Sequence, residues 1–143
     1  MTRIALLDIN VLVALFDPDH VHHDAAHDWF AEEGRAGWAT CPMTEAGFVR
    51  VLSNPAYRGT LTRAVDIAER LRRFCGSGGH VFWPGDVSLL DAPVFDLSHI
   101  AGHRQLTDVY LLGLAHTRGG TLATFDRGIP FRAVKGATAS SLT

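Results

Sequence analysis

Two short apolar runs in this chain each end in an aspartate. Ile4-Ala5-Leu6-Leu7 leads into Asp8, and Thr121-Leu122-Ala123-Thr124-Phe125 leads into Asp126. Runs of this length, closed by a polar turn, have the signature of strands buried on both faces. Strands are buried on both faces where helices cover a parallel sheet, and much of the intervening sequence has helical periodicity. The clearest case spans residues 60–75, with Leu61, Ala64, Val65, Ala68, Leu71 and Phe74 on one face. The remaining pattern predicts helices over residues 10–16, 20 or 21 to 33, 42–53 and 107–118, with strands over 37–40, 80–83 and 121–125. Asp17-Pro18 and Pro55 supply stop signals for the first and third of these helices. Short helices are expected over 86–90 and 98–102, around a loop containing Pro93, and the tail reads as a turn with an edge strand. The alternation predicts an α/β fold with helices on both faces of a parallel sheet. A length of 143 residues suits one domain, 1–143, around a single core.

Ligands of open parallel sheets bind beyond the carboxyl ends of the strands, which is where Asp8 and Asp126 fall. Glu45 and Asp108 each open a helical pattern. Glu45 shares a face with Phe48, Val49 and Leu52, and Asp108 with Leu111, Leu112 and Ala115. Each therefore heads a core-facing stripe, where a carboxylate requires a partner. Several acids in one pocket repel one another unless a cation neutralises them, so the four together point to a metal site.

Each acid alone has a plainer explanation. Glu45 and Asp108 suit the positive end of a helix, worth about 0.3–1 kcal/mol apiece. Asp8, with Asn10 close by, suits a cap, and Asp126-Arg127-Gly128 suits a turn. The joint occurrence of all four, each beside the right element, favours the site. Thr44 and Thr107 precede two of the acids and carry hydroxyls able to cap the helices and orient the carboxylates.

Leu7-Asp8-Ile9-Asn10, Thr44-Glu45, His103-Arg104-Gln105-Leu106-Thr107-Asp108 and Thr124-Phe125-Asp126 follow one another in an order that resembles PIN-domain ribonucleases. Within them the chain is most similar to the VapC-type toxins of bacterial toxin–antitoxin pairs. The resemblance runs essentially end to end and includes Val51-Leu52-Ser53-Asn54-Pro55 and Phe82-Trp83-Pro84. It implies a three-layer fold with a central parallel sheet of four to five strands flanked by helices. It places the family's metal-binding acids on Asp8, Glu45, Asp108 and Asp126, the last of them at the family's most variable position. It further implies an endoribonuclease in which a metal-activated water hydrolyses an RNA phosphodiester. Asp8 and Asp108 would be the principal ligands, Glu45 a ligand or base, and Asp126 would complete the site. A cognate VapB-type antitoxin that blocks the toxin and a homodimeric assembly are implied as well.

An all-oxygen donor set favours Mg²⁺ or Mn²⁺ over zinc. Asn10, Thr44, Thr107 and Thr124 are candidates for orienting the acids. Arg104 and Arg127 flank two acids and are candidates for holding substrate phosphates, with His103 beside them. His20, His22, His23 and His27 form a second cluster. His23 and His27 have a chelating spacing, but no third ligand is evident, and Ala25, Ala26, Trp29 and Phe30 make an ordinary buried face. The imidazoles are candidates instead for the mouth of the acidic pocket.

Composition narrows the alternatives. A formal charge of −2 gives no overall pull toward a polyanion, so RNA would have to bind a local patch. Cys41 and Cys75 lie far apart without CxxC spacing, which argues against a disulfide framework or zinc knuckle. Asp8 and Asn10 interrupt the first apolar run, which is too short to span a membrane and makes a poor signal-peptide core, so a cytoplasmic location is expected. Two other functions remain in view. One is a haloacid-dehalogenase-type phosphatase, against which Asn10 replaces a needed aspartate and the sole lysine, Lys135, is poorly placed. The other is a non-catalytic module binding a metal or a basic peptide.

Overall fold

The computed structural model describes residues 3–57 and 63–143. Four three-residue strands, β1 (Ala5–Leu7), β2 (Trp38–Thr40), β3 (His80–Phe82) and β4 (Thr121–Ala123), form one sheet in the order β3-β2-β1-β4. All three pairings are parallel, with Leu6 opposite both Ala39 and Leu122. Five helices flank the sheet: α1 (Ile9–Phe16), α2 (His23–Glu32), α3 (Pro42–Ser53), α4 (Ala64–Cys75) and α5 (Leu106–Thr117). This is the three-layer α/β arrangement predicted above, with four strands.

The period-2 alternation of strand side chains divides the core in two. Ala5, Leu7, Trp38 and Ala123 face α1 to α4 and pack with Leu12, Phe48, Ile67 and Leu71. Leu6, Ala39 and Leu122 face the opposite side, against Val109, Leu111, Leu112 and Leu114 of α5 and the C-terminal residues Ile129, Val134 and Leu142. Because β1 and β4 are covered on both faces, their sequences read as continuous apolar runs. Close approach of α1 to α3 depends on Gly47: a Cβ there would fall inside van der Waals contact with the Ile9 side chain.

Several boundaries differ from expectation. Thr60 and Leu61, placed in the fourth helix by pattern, lie outside the described residues, and the helix is seen from Ala64. Residues 86–90 are not helical. Residues 98–102 hold only the end of one 3-10 turn (Leu97–His99), and a second (His103–Gln105) leads directly into α5. In the first segment the backbone bonds close turns rather than a helix: the Asp86 amide donates to the Pro84 carbonyl and the Asp91 amide to the Ser88 carbonyl. The tail forms 3-10 turns, and its edge strand reduces to isolated bridges, Val134 to Phe95 and Leu142 to Leu122. Among the described residues no helix is long and apolar enough to cross a membrane.

Candidate metal centre

Parallel strands place their carboxyl ends on one rim, and α5 runs back so that its first turn reaches the same rim. Asp8 directly follows β1, Asp108 lies in the first turn of α5, and Asp126 follows β4. All three line one pocket of about 400 Å³, together with Asn10, Thr107 and His20.

Asp8 is 4% exposed. It caps α1 by accepting from the Ile9 amide at 2.7 Å, and the Thr124 hydroxyl donates to its Oδ2 at 2.8 Å. Burial raises its pKa above the ordinary carboxylate value, those two hydrogen bonds oppose the rise, and the charge of Asp126 adds to it. Asp108 is pushed up to about 7, first by burial, then by the charge of Asp8, then by a hydrogen bond with Asp126 and that residue's charge. The carboxylates thus act on one another as a cluster. Asp126 is exposed, and its Oδ1 accepts from the Gly128 amide at 2.8 Å, so turn and pocket residue are one and the same.

Thr124 organises this region. Its buried hydroxyl oxygen accepts from Asn10 Nδ2 at 3.2 Å and from the Asp126 amide at 3.0 Å while donating to Asp8. Asn10 Oδ1 in turn accepts from the Phe125 amide at 3.3 Å. One threonine therefore ties together the ends of β1 and β4 and two of the acids.

Glu45 is not brought into this pocket. It lies in the first turn of α3 and lines a separate cleft of about 670 Å³ between α3 and α4, with Leu71, Cys75 and His80. Its Oε2 accepts from the Thr40 hydroxyl at 2.7 Å. Thr44, expected to orient Glu45, instead caps α3. Its Oγ1 accepts from the Cys41 amide at 3.0 Å and donates back to the Cys41 carbonyl at 3.1 Å. The reason is helix geometry: a hydroxyl in the first turn finds the unpaired groups of the preceding chain before it finds the next side chain. Thr40, which sequence reading passed over as a strand residue, takes the orienting place. Nearby, burial pushes the Cys75 thiol up to about 11, with the charge of Glu45 adding to the effect, and burial lowers the pKa of His80.

The remaining candidates scatter. Thr107 is exposed beside Asp108. His103 and Arg104 are exposed on the 3-10 turn leading into α5. Arg127 borders a different cleft, with Trp29 and Phe125. Of the histidines only His20 lines the acid pocket, and His22 stacks on Phe125 with ring centroids 4.3 Å apart. His23 Nδ1 donates to the Ala14 carbonyl at 2.7 Å and His27 Nε2 to the Leu15 carbonyl at 2.8 Å. These two satisfy carbonyls left open at the end of α1, a structural use that accounts for their spacing of four. Tyr57, also missed from sequence, reaches the acid pocket with its hydroxyl donating to Asp17.

The PIN domain family matches residues 5–137. The chain belongs to that family. Its relatives in Mycobacterium tuberculosis include Ribonuclease VapC44, 44% identical over 140 residues covering 96% of each chain. Ribonuclease VapC38 is 47% identical over 125 residues, covering 87% of this chain and 86% of its own, and Ribonuclease VapC39 is 44% identical over 125 residues, covering 87% and 90%. The protein is a PIN domain of the VapC type.

The donor chemistry suits a hard divalent ion: three carboxylates share a pocket, and two have pKa values raised in part by their neighbours. Their present spacing is looser than a ligand shell, since among the described residues no group of three or more His, Cys, Asp or Glu is drawn together tightly enough to hold an ion.

Proposed function

We propose that the chain is a divalent-metal-dependent endoribonuclease toxin working in the cytoplasm as a single domain. The observation that carries this reading is the convergence of Asp8, Asp108 and Asp126 on one pocket where burial and mutual repulsion raise two of their pKa values. The ribonuclease names of relatives covering most of the chain support the substrate class.

In this reading Asp8, Asp108 and Asp126 hold Mg²⁺ or Mn²⁺. When bound, the ion activates a water and offsets charge on the phosphoryl oxygens. The chain's own residues do the rest. Thr124 and the Ile9 amide hold Asp8 in its capping rotamer, so its carboxylate is oriented before any ligand arrives. Asn10 and Thr124 lock the β1 and β4 ends together. Asp108, protonated in part near neutrality, must shed its proton as the cation binds. Glu45 assists from α3 as a ligand or base. Arg104 and His103, exposed on the turn before α5, face solvent where RNA phosphates approach, and Arg127 extends the same role beyond Asp126.

Family membership removes the phosphatase alternative. The cleft between α3 and α4, apolar along Val49, Ala68 and Leu71 with Glu45, Arg50 and Arg72 on its walls, suits a segment of a VapB-type antitoxin. A homodimer is carried over as part of the proposal.

The test incubates the purified chain with total cellular RNA in Mg²⁺, Mn²⁺ or chelator and maps the cut ends. Cleavage that appears with metal and disappears with chelator is expected. Cleavage indifferent to chelator, or tight partner binding with no turnover, would refute the enzyme.

A further inference from the structure

We propose that Thr40 and His80 are positioning residues for Glu45, fixing its carboxylate at the carboxyl end of the sheet through a chain of hydrogen bonds from imidazole to hydroxyl to carboxylate. The inference rests on the metal-dependent reading above and deepens it by assigning work to two side chains outside the acid motifs.

Proton counting fixes the direction of the chain. A threonine hydroxyl has a single proton and can also accept. The carboxylate only accepts, so the Thr40 proton goes to Glu45 Oε2, 2.7 Å away. The contact at 2.8 Å between Thr40 Oγ1 and His80 Nε2 then has the imidazole donating, which makes neutral His80 the Nε2–H tautomer. Thr40 is fully buried, so water cannot take over either bond.

The chain is rigidly mounted. Thr40 and His80 lie on adjacent parallel strands, with Trp38 opposite His80 and Thr40 opposite Phe82. Strand periodicity puts Trp38 and Thr40 on one face of β2. The Trp38 ring packs on the His80 ring at a centroid distance of 4.7 Å, and its own Nε1 donates to the Gly78 carbonyl at 3.2 Å. The imidazole thus has little freedom to turn away. Glu45 sits in the first turn of α3, two residues before the Gly47 contact that seats this helix on Ile9, the residue after Asp8. Holding one oxygen of Glu45 therefore orders a fourth carboxylate on the rim that carries the other three.

Two measurements test this. In the metal-free protein, ¹⁵N-histidine NMR is expected to show His80 protonated at Nε2, with that proton slow to exchange in the wild type and fast in Thr40→Val. An Nδ1–H tautomer in the wild type would overturn the assignment. Mn²⁺ affinity, read by water-proton relaxation, is expected to fall about 10- to 100-fold in Thr40→Val, the usual cost of losing a partner that orients a ligand. His80→Leu should lose a similar amount and His80→Gln, which restores an N–H donor, should regain most of it. A folded Thr40→Val protein that binds Mn²⁺ as the wild type does, or a His80→Gln protein no better than His80→Leu, would overturn the role. Asp8→Asn separates the two readings: unchanged Mn²⁺ binding in that variant would sink the metal site itself, and the metal-free tautomer and exchange measurement would still decide the hydrogen-bond chain.

Discussion

Two neighbouring regions at the carboxyl end of the sheet handle carboxylates in opposite ways. In the pocket between β1, β4 and α5, Asp8 and Asp108 are raised in pKa by burial and by other acids, and among the described residues no lysine or arginine lines it. In the cleft between α3 and α4, Glu45 has a hydroxyl donor, a histidine behind that donor, and Arg50 and Arg72 along the same walls. The first region stores unfavourable electrostatics that a cation would relieve. In the second, hydrogen bonds from the protein itself hold the carboxylate in place. The same residue class is thus poised for binding in one place and held still in the other.

The sharpest way to break this contrast is to neutralise one acid from each region. Asp8→Asn is expected to reduce metal-dependent RNA cleavage by about 100-fold or more while circular dichroism stays native, and Glu45→Gln by about 10- to 100-fold. Unchanged turnover in Glu45→Gln would remove Glu45 from the metal-dependent reaction.

Thr124→Val tests how far the first region depends on preorganisation. The variant removes the donor to the buried Asp8 carboxylate and the acceptor for Asn10 and the Asp126 amide. Chemical denaturation should show a loss of about 1–3 kcal/mol. A neutral result would mean that water or a shifted backbone replaces the hydroxyl.

Asp108→Asn should stabilise the metal-free protein. Its folded pKa of about 7 lies above the model-compound value of 3.8, so the folded state resists ionisation. The stability associated with its neutral form is complete below 3.8 and is lost as pH rises toward about 7. The gain from Asp108→Asn in chelator should therefore grow between those limits and level off above them, reaching roughly 1–2 kcal/mol once solvent screening of this half-buried group is allowed for. Thermal melts across pH check this, and a flat difference would remove the strain from the pocket. The smallest effect is expected from Arg104→Gln, which should lower the salt slope of RNA binding by about one phosphate contact.

Legibility from sequence followed the range of the interactions involved. β1 and β4 were plain because burial on both faces leaves an unbroken apolar run, and α5 because its core stripe is continuous. Residues 86–90 misled because a short apolar pattern does not reveal that the Pro84 and Ser88 carbonyls close turns there. In the candidate site, Asp8, Asp108 and Asp126 could be placed from their position at strand ends and a helix start. Thr40 could not, since it reads as an ordinary strand residue, and its partner His80 lies 40 positions away. Thr44 misled because its capping bond and an orienting bond have the same sequence signature.

Chain order alone determined the alternation of elements, the parallel sheet and the end of it at which the acids gather, because strand and helix periodicity are local and a parallel sheet puts every strand's carboxyl end on one rim. Only the tertiary structure decided that three aspartates share a pocket while Glu45 turns to Thr40. That outcome depends on which side-chain donor each carboxylate meets after the layers close, and hydrogen bonds of about 2.7 Å between residues on different elements leave no periodic trace in a sequence.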